Sequence, residues 1–137
     1  MNWIPRNRWE TVHNYIDTDQ GILRKGSISL CKGERALISI SMKDGAFIVK
    51  GKGNPDYNYS GPHGAGRLLS RGEARRSISL KDFEESMKGI YTTSVSGDTL
   101  DESAFAYKKL EDIIPSLEAT AEIEKRLMPI YNFKAGE

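Results

Sequence analysis

The sequence predicts an α+β domain in which an antiparallel or mixed sheet comes first and short helices follow it. Short runs of β-branched residues alternate with turn residues between Gly21 and Gly51, which is typical of strands. Helix start signals appear only after Ser70, and a second β-type segment, 122–134, closes the chain. We expect this closing segment to return to the sheet as one strand with a break at Pro129.

The first half of the chain contains three short apolar runs that we expect to be strands. The connections between them, 32–34 and 43–45, hold glycine and charged residues, and the Asp44-Gly45 step is a strong hairpin signal. The three predicted strands are 22–25, 36–40 and 46–50. Ahead of them, residues 13–15 are expected to lie at the end of a short helix or in a turn.

Three helices are predicted in the second half. Ser70 with Glu73 three residues later is a capping box, so one helix should begin there. Ser79 precedes a second stretch whose apolar residues recur at helical spacing. A third apolar stretch, 110–117, contains Pro115, which should kink or split that helix.

Composition is that of one ordinary domain spanning residues 1–137. Charged residues make up 28% and hydrophobic residues 38%, and the net charge of +1 argues neither for nor against nucleic acid. No apolar run approaches the roughly 18 residues of a membrane span and no signal peptide is visible, so no membrane contact is expected. The only cysteine, Cys31, cannot form an internal disulfide, which favours a cytoplasmic location.

A glycine-rich stretch, 60–71, carries the main candidate site. It places His63 on a backbone almost bare of side chains, just ahead of a predicted helix, with Arg67 and Arg71 following. A helix amino terminus and guanidinium groups suit a phosphate, and imidazole is a nucleophile for covalent nucleotidyl transfer. The alternative is an ordinary turn before a helix. Positive charge concentrates in the same region: residues 50–76 hold six basic side chains against two acidic ones.

Two further segments are less specific. The loop 50–53 alternates lysine and glycine and could cradle a phosphate or a purine edge, but it matches no established nucleotide-binding motif. His13 has no second imidazole at helical spacing, so a surface or core histidine is the alternative to a metal ligand. One cysteine and two histidines cannot build a self-sufficient metal site.

Three stretches together resemble the RtcB-type RNA ligases, which join RNA ends in tRNA splicing and RNA repair. The segment 63–67 with Ser70-Arg71 resembles the family's signature, and 12–15 resembles its metal-binding His-Asn step. The segment 132–136 resembles its terminal lysine motif. The matches occur in the family's order from about Glu10 onward and correspond to roughly its last third. The resemblance therefore implies an RtcB-like fold without the amino-terminal portion that supplies most of the metal ligands.

The resemblance implies a GTP- and manganese-dependent ligase. Such a ligase joins RNA 3′-phosphate or 2′,3′-cyclic phosphate ends to 5′-hydroxyl ends through a GMP-histidine intermediate. It gives His63 the role of nucleophile, His13 that of a Mn²⁺ ligand, and Arg67 and Arg71 contacts to phosphate or RNA. The nucleotide-binding set implied in the same way is His13, Asn14, Lys50, Gly51, Lys52, Gly53, Tyr57, His63, Gly64, Ala65, Gly66 and Lys134.

The partners implied are RNA (tRNA halves or broken RNA ends), GTP and the missing amino-terminal metal-binding portion. A partial chain of this kind is expected to be inactive alone, with exposed apolar surface near Trp3, Trp9 and His13. The alternative is a non-catalytic, truncated nucleotide- or RNA-binding fragment. A plain RNA-binding module would use Arg67 and Arg71 for phosphates and the nearby Tyr57 and Tyr59 for stacking.

Overall fold

A computed structural model describes residues 10–134 and confirms the α+β class, with antiparallel sheets and a few short helices. The strands are β1 (Asn14–Asp17), β2 (Ile22–Lys25), β3 (Ser27–Ser29), β4 (Arg35–Ser41), β5 (Gly45–Gly51), β6 (Ser60–Pro62), β7 (Tyr91–Thr92), β8 (Ala121–Leu127) and β9 (Tyr131–Asn132). The helices are α1 (Arg71–Ser77), α2 (Leu80–Ser86) and α3 (Leu110–Leu117), with 3-10 turns at Pro55–Tyr57, Gly97–Glu102 and Ala104–Ala106.

The main sheet is antiparallel in the order β4-β5-β8. Every second residue of β4 is buried, so the strand presents one apolar face. That face packs in a core with Ile113 and Leu117 of α3. A smaller core forms around Phe83 and Met87, at the other helices. The sheet and α3 thus form the base of the fold, and Ile28 of β3 packs in the same core.

Three two-stranded sheets surround this base: β1 with β2, β3 with β6, and β7 with β9. The first two pairs are antiparallel and the third is parallel. The β3–β6 pair positions His63, because β6 ends at Pro62, the residue immediately before it. The three predicted strands, the hairpin at Asp44-Gly45 and the caps at Ser70 and Ser79 are all confirmed.

One local prediction is wrong, and of the two outcomes expected at Pro115 the split does not occur. Residues 13–15 do not end a helix or form a turn: Asn14 begins β1, whose backbone pairs with β2 across a hairpin. α3 continues through Pro115 to Leu117 rather than splitting. Pro115 lies near the carboxyl end of a short helix, where its missing N–H removes only one intrahelical hydrogen bond.

The chain end also differs from the prediction. β8 does return to the sheet, but after Pro129 the chain leaves it, and β9 pairs in parallel with β7 instead. The Lys134 N–H donates to Ser94 Oγ at 2.7 Å, so Lys134 is not carried along the sheet towards the 50–53 loop.

Exposure near His13 agrees with the expected apolar surface, since Val12 is 52% exposed. Trp3 and Trp9 lie outside the described residues. Within 10–134, none of the helices has both the length and the apolar character needed to cross a bilayer.

Candidate active site

The two histidines, far apart in sequence, meet in space. The rings of His13 and His63 stack with centroids 4.6 Å apart and planes 20° from parallel, and both side chains are exposed. They lie on the wall of a cleft of about 740 Å³, a volume suited to a nucleotide-sized ligand. The predicted site residues that line this cleft are His13, His63, Gly64, Ala65, Gly66, Arg67 and Lys134.

His63 is positioned by the edge of the main sheet. The Ser39 N–H donates to the His63 carbonyl at 3.4 Å, and the Ala65 N–H donates to the Ser39 carbonyl at 3.1 Å. A Cβ on Gly64 would lie 3.0 Å from the Ser39 carbonyl oxygen, so a side chain there would press on the strand. The glycine of the motif therefore allows the loop to dock on β4.

Gly26 connects the two histidines through its peptide groups. Its N–H donates to the His13 carbonyl at 2.8 Å and to Asn14 Oδ1 at 2.9 Å. Its carbonyl oxygen lies 2.6 Å from His63 Nδ1. Asn14 does not line the cleft, and its side-chain oxygen is directed at this glycine.

Arg24 holds the β1–β2 hairpin against the strand that leads to His63. Its fully buried guanidinium donates to Asp17 Oδ2 at 2.8 Å and to the Tyr15 hydroxyl at 3.1 Å. It also donates to Ser60 Oγ of β6 at 3.1 Å. The hydrogen bond from Arg24 lowers the pKa of Asp17 below its ordinary value. Sequence reasoning missed Arg24, although its position in a strand opposite an acidic turn was the available signal.

Arg67 and Arg71, the arginines predicted to hold phosphate, lie beside one buried carboxylate, that of Asp101, and Arg75 joins them there. Arg67 donates to the Asp101 carbonyl at 2.5 Å and to the Tyr107 hydroxyl at 3.0 Å, with its guanidinium 4.8 Å from the Tyr107 ring centre. Arg71 Nε lies 3.6 Å from Asp101 Oδ2, and Arg75 Nε lies 3.2 Å from Oδ1. Arg67 lines the cleft and Arg71 does not. No sequence motif points to Asp101.

Glu102 lies between the two cations of the cleft. Lys134 Nζ is 2.9 Å from Glu102 Oε2, and Arg67 Nη1 is 3.9 Å from Oε1. Tyr107 completes the group, and its pKa is raised first by burial and then by the charge of Glu102. A ligand phosphate at this end of the cleft would compete with Glu102 for Lys134.

The 50–53 loop lies away from the cleft. The N–H groups of residues 51, 52 and 53 donate to the carbonyls of Glu34, Thr120 and Leu30. Lys52 Nζ bonds to the Glu118 carbonyl, and a Cβ on Gly51 would collide with the Cys31 carbonyl. Close packing against neighbouring backbone therefore explains the alternating glycines of this loop.

Tyr57 is also separate from His63. It is half-exposed and lines a second cavity, of about 350 Å³, together with Ile22 and Leu23. The structure therefore brings together the histidine, glycine and terminal-lysine motifs but leaves Asn14, residues 50–53, Tyr57 and Arg71 outside their cleft.

The described residues do not form a complete metal site. Across 10–134, no three histidine, cysteine, aspartate or glutamate side chains cluster in a way that could hold an ion. His13 offers a single imidazole, whereas protein metal sites are built from several ligands.

Comparisons with known proteins show the family to which this chain belongs. A family model described as tRNA-splicing ligase RtcB matches residues 5–135. The RNA-splicing ligase RtcB of Escherichia coli K12 is 30% identical over 117 residues, which cover 81% of this chain and 28% of that protein. The tRNA-splicing ligase RtcB of Aeropyrum pernix is 35% identical over 86 residues, 59% of this chain and 18% of that protein. The chain thus spans little more than a quarter of the first of these relatives, and it belongs to the RtcB family.

Proposed function

We propose that this chain is the nucleotide-transfer portion of an RNA ligase that uses GTP and Mn²⁺ to join RNA ends in the cytoplasm. The observation that carries the proposal is the stacking of His63 on His13 at a cleft that also contains Arg67 and Lys134. Membership in the family, whose relatives are named as RNA-splicing and tRNA-splicing ligases, supplies the reaction class.

In the proposed reaction His63 is the nucleophile. A lone pair of its imidazole attacks the α-phosphorus of GTP, the bond to the bridging oxygen breaks, and pyrophosphate leaves. The GMP phosphoramidate on His63 is then attacked by an RNA 3′-phosphate oxygen, which frees the imidazole. A 5′-hydroxyl finally attacks that 3′-phosphate and expels GMP. A 2′,3′-cyclic phosphate is first opened by water.

The cleft residues have separate tasks in this scheme. Lys134 and Arg67 supply positive charge for phosphate oxygens, and Glu102 holds both cations when no phosphate is bound. The bare backbone of residues 64–66 lets the nucleotide approach closely. Contacts from Asn14, residues 50–53, Tyr57 and Arg71 to the nucleotide or RNA rest on the family resemblance.

Manganese would neutralise phosphate charge when bound. His13 alone does not fit a complete Mn²⁺ site, so we propose that the other ligands come from the amino-terminal portion that the longer relatives possess. The isolated chain should then be inactive. The incomplete ligand set also favours the second candidate, a non-catalytic fragment that binds nucleotide or RNA.

A nucleotide-transfer assay separates these candidates. The isolated chain, and a chimera in which it replaces the matching segment of the E. coli relative, are incubated with Mn²⁺ and GTP labelled at the α-phosphate. Denaturing electrophoresis should show a labelled band for the chimera and none for the isolated chain. His63→Ala should abolish that band, whereas Lys81→Ala, on α2 and away from the cleft, should not.

Three results would contradict the proposal. A labelled band from the isolated chain would mean a complete small enzyme. Label in a folded His63→Ala chimera would place the nucleophile elsewhere. A folded chimera that takes up no label would favour the non-catalytic fragment.

A further inference from the structure

The imidazole of His63 is held through one ring nitrogen. Its Nδ1 lies 2.6 Å from the Gly26 carbonyl oxygen. A carbonyl oxygen accepts hydrogen bonds and cannot donate them, so Nδ1 must carry the proton. In a neutral imidazole the lone pair then lies on Nε2. The Gly26 carbonyl, on a different segment of the chain, therefore determines which ring nitrogen of His63 carries the proton.

The Gly26 peptide is itself fixed by the segment that carries His13. Its N–H is shared between the His13 carbonyl and Asn14 Oδ1, at 2.8 and 2.9 Å. Gly26 has a φ of +67°, in the left-handed region that glycine adopts without strain. Space is not the reason for glycine, because an added Cβ would meet the His63 ring at 3.6 Å, an ordinary contact distance. The backbone conformation that aims the carbonyl at Nδ1 is the reason.

We infer that Gly26 is a positioning residue whose carbonyl fixes His63 in the Nδ1–H tautomer, and that Asn14 holds the Gly26 peptide in place. Asn14 thereby acts on His63 through the Gly26 backbone. The inference rests on the proposed function for its catalytic meaning, since Nε2 becomes the nitrogen available for attack. The tautomer itself can be measured without any nucleotide.

Histidine-selective NMR of the full chain tests this inference. The chain has only two histidines, so a long-range ¹H–¹⁵N spectrum contains two imidazoles, assigned with the His13→Gln variant. At about pH 8, where an ordinary imidazole is neutral, His63 should show a protonated Nδ1 and an unprotonated Nε2. A predominantly Nε2–H form of His63 in the unmodified chain would overturn the inference.

Two variants test the roles of Gly26 and Asn14 separately. Gly26→Ala should abolish the predominance of the Nδ1–H form, because alanine is strained at this φ. Gly21→Ala is the matched control: Gly21 has a φ of +65° at the hairpin turn, and nothing lies within 4 Å of its added Cβ. Asn14→Ala removes one of the two acceptors of the Gly26 N–H and leaves Gly26 itself unchanged. It should therefore partly reduce the predominance of the Nδ1–H form of His63.

The outcomes are distinguishable from those of the ligase assay. If a folded Gly26→Ala variant keeps the tautomer as Gly21→Ala does, the role of Gly26 is overturned. If Gly26→Ala does not fold, the unmodified chain and Asn14→Ala decide the question. An unchanged spectrum in Asn14→Ala would remove Asn14 from the inference. A failure to transfer GMP with the expected tautomer present would count against the proposed function alone.

Discussion

Asp101 is a buried carboxylate with three arginine neighbours, two of which come from α1. Removing a carboxylate from water is unfavourable unless charge and hydrogen bonds compensate it. Arg67, Arg71 and Arg75 provide that compensation together. Since Arg67 also lines the cleft, the position of a cation in the candidate site depends on an acidic residue behind it.

Replacement of Asp101 by asparagine should therefore destabilise the chain. We expect Asp101→Asn to lower the free energy of unfolding by about 2 kcal/mol, because a buried, charge-assisted set of contacts loses its negative member. Urea titration measures the change. Asp98→Asn, at an exposed position of the same 3-10 turn, is the control and should leave the curve unchanged. Superimposable curves for Asp101→Asn and the unmodified chain would contradict the prediction.

At the residue scale, motif residues were predictable and their partners were not. The sequence motifs in the glycine-rich stretch and at the chain end identified His63 and Lys134, and both residues line the cleft. Asp101 and Glu102 were missed because their cationic partners are distant in sequence. Arg24 was missed because its bond to Ser60 joins residues 36 positions apart, although Asp17 is near it in the chain. The spacing of residues predicts which face of a helix or strand a side chain occupies. It does not predict which charged residue, distant in sequence, that side chain contacts.

At the scale of elements, the stability of the β1–β2 hairpin depends on the polar contacts of one buried side chain, Arg24. Each strand has only four residues, and a two-stranded hairpin is marginally stable on its own. The buried Arg24 ties both strands to β6 through Asp17, Tyr15 and Ser60. The hairpin should therefore be sensitive to the ionisation of Asp17.

The stabilising effect of Asp17 should disappear in acid. Because its pKa in the folded chain is lowered from 3.8, its contribution is fully present above that value. The contribution is lost as the pH falls through the lower, folded-state pKa. We expect unmodified chain and Asp17→Asn to differ in unfolding free energy by a constant amount near neutral pH. This difference should shrink below about pH 3.8, the ordinary value.

Urea titrations at a series of pH values measure this difference. Asp19→Asn, in the turn that follows Asp17, is the matched control, because Arg24 donates to the carboxylate of Asp17. A stability difference for Asp17→Asn that stayed constant down to about pH 2 would contradict the linkage.

The elements that sequence reasoning found are those with strong local signals. β4, β5 and the hairpin between them follow from β-branched alternation and Asp44-Gly45, and α1 follows from its capping box. β1 was missed, and β9 was predicted as part of a strand but with the wrong partner, because neither is stable by itself. β9 has two residues and pairs with β7, which is far away in the chain, so tertiary contacts decide its conformation.

At the scale of the whole molecule, the proposed function gives this chain one metal ligand, His13, and assigns the other ligands to the amino-terminal portion. We expect the isolated chain to bind Mn²⁺ weakly and His13→Ala to weaken that binding further, since one imidazole is a small fraction of a coordination set. Calorimetric titration of the chain, its His13→Ala variant and the chimera compares the three. The chimera should bind most tightly. Tight binding by the isolated chain that survives His13→Ala would place the metal elsewhere.

The hairpin also has a consequence for local stability. Among residues 10–134, β1 and β2 pair only with each other, whereas the segment after β6 is bonded to Ser39 in the main sheet. Proteins open in cooperative units whose free energies of opening differ, and an exposed hairpin belongs to the less protected end of that range. An opening confined to residues 13–25 would separate the stacked imidazoles of His13 and His63 while the core around Ile38 and Leu117 remained closed. We therefore expect the site to open and close again without unfolding of the domain.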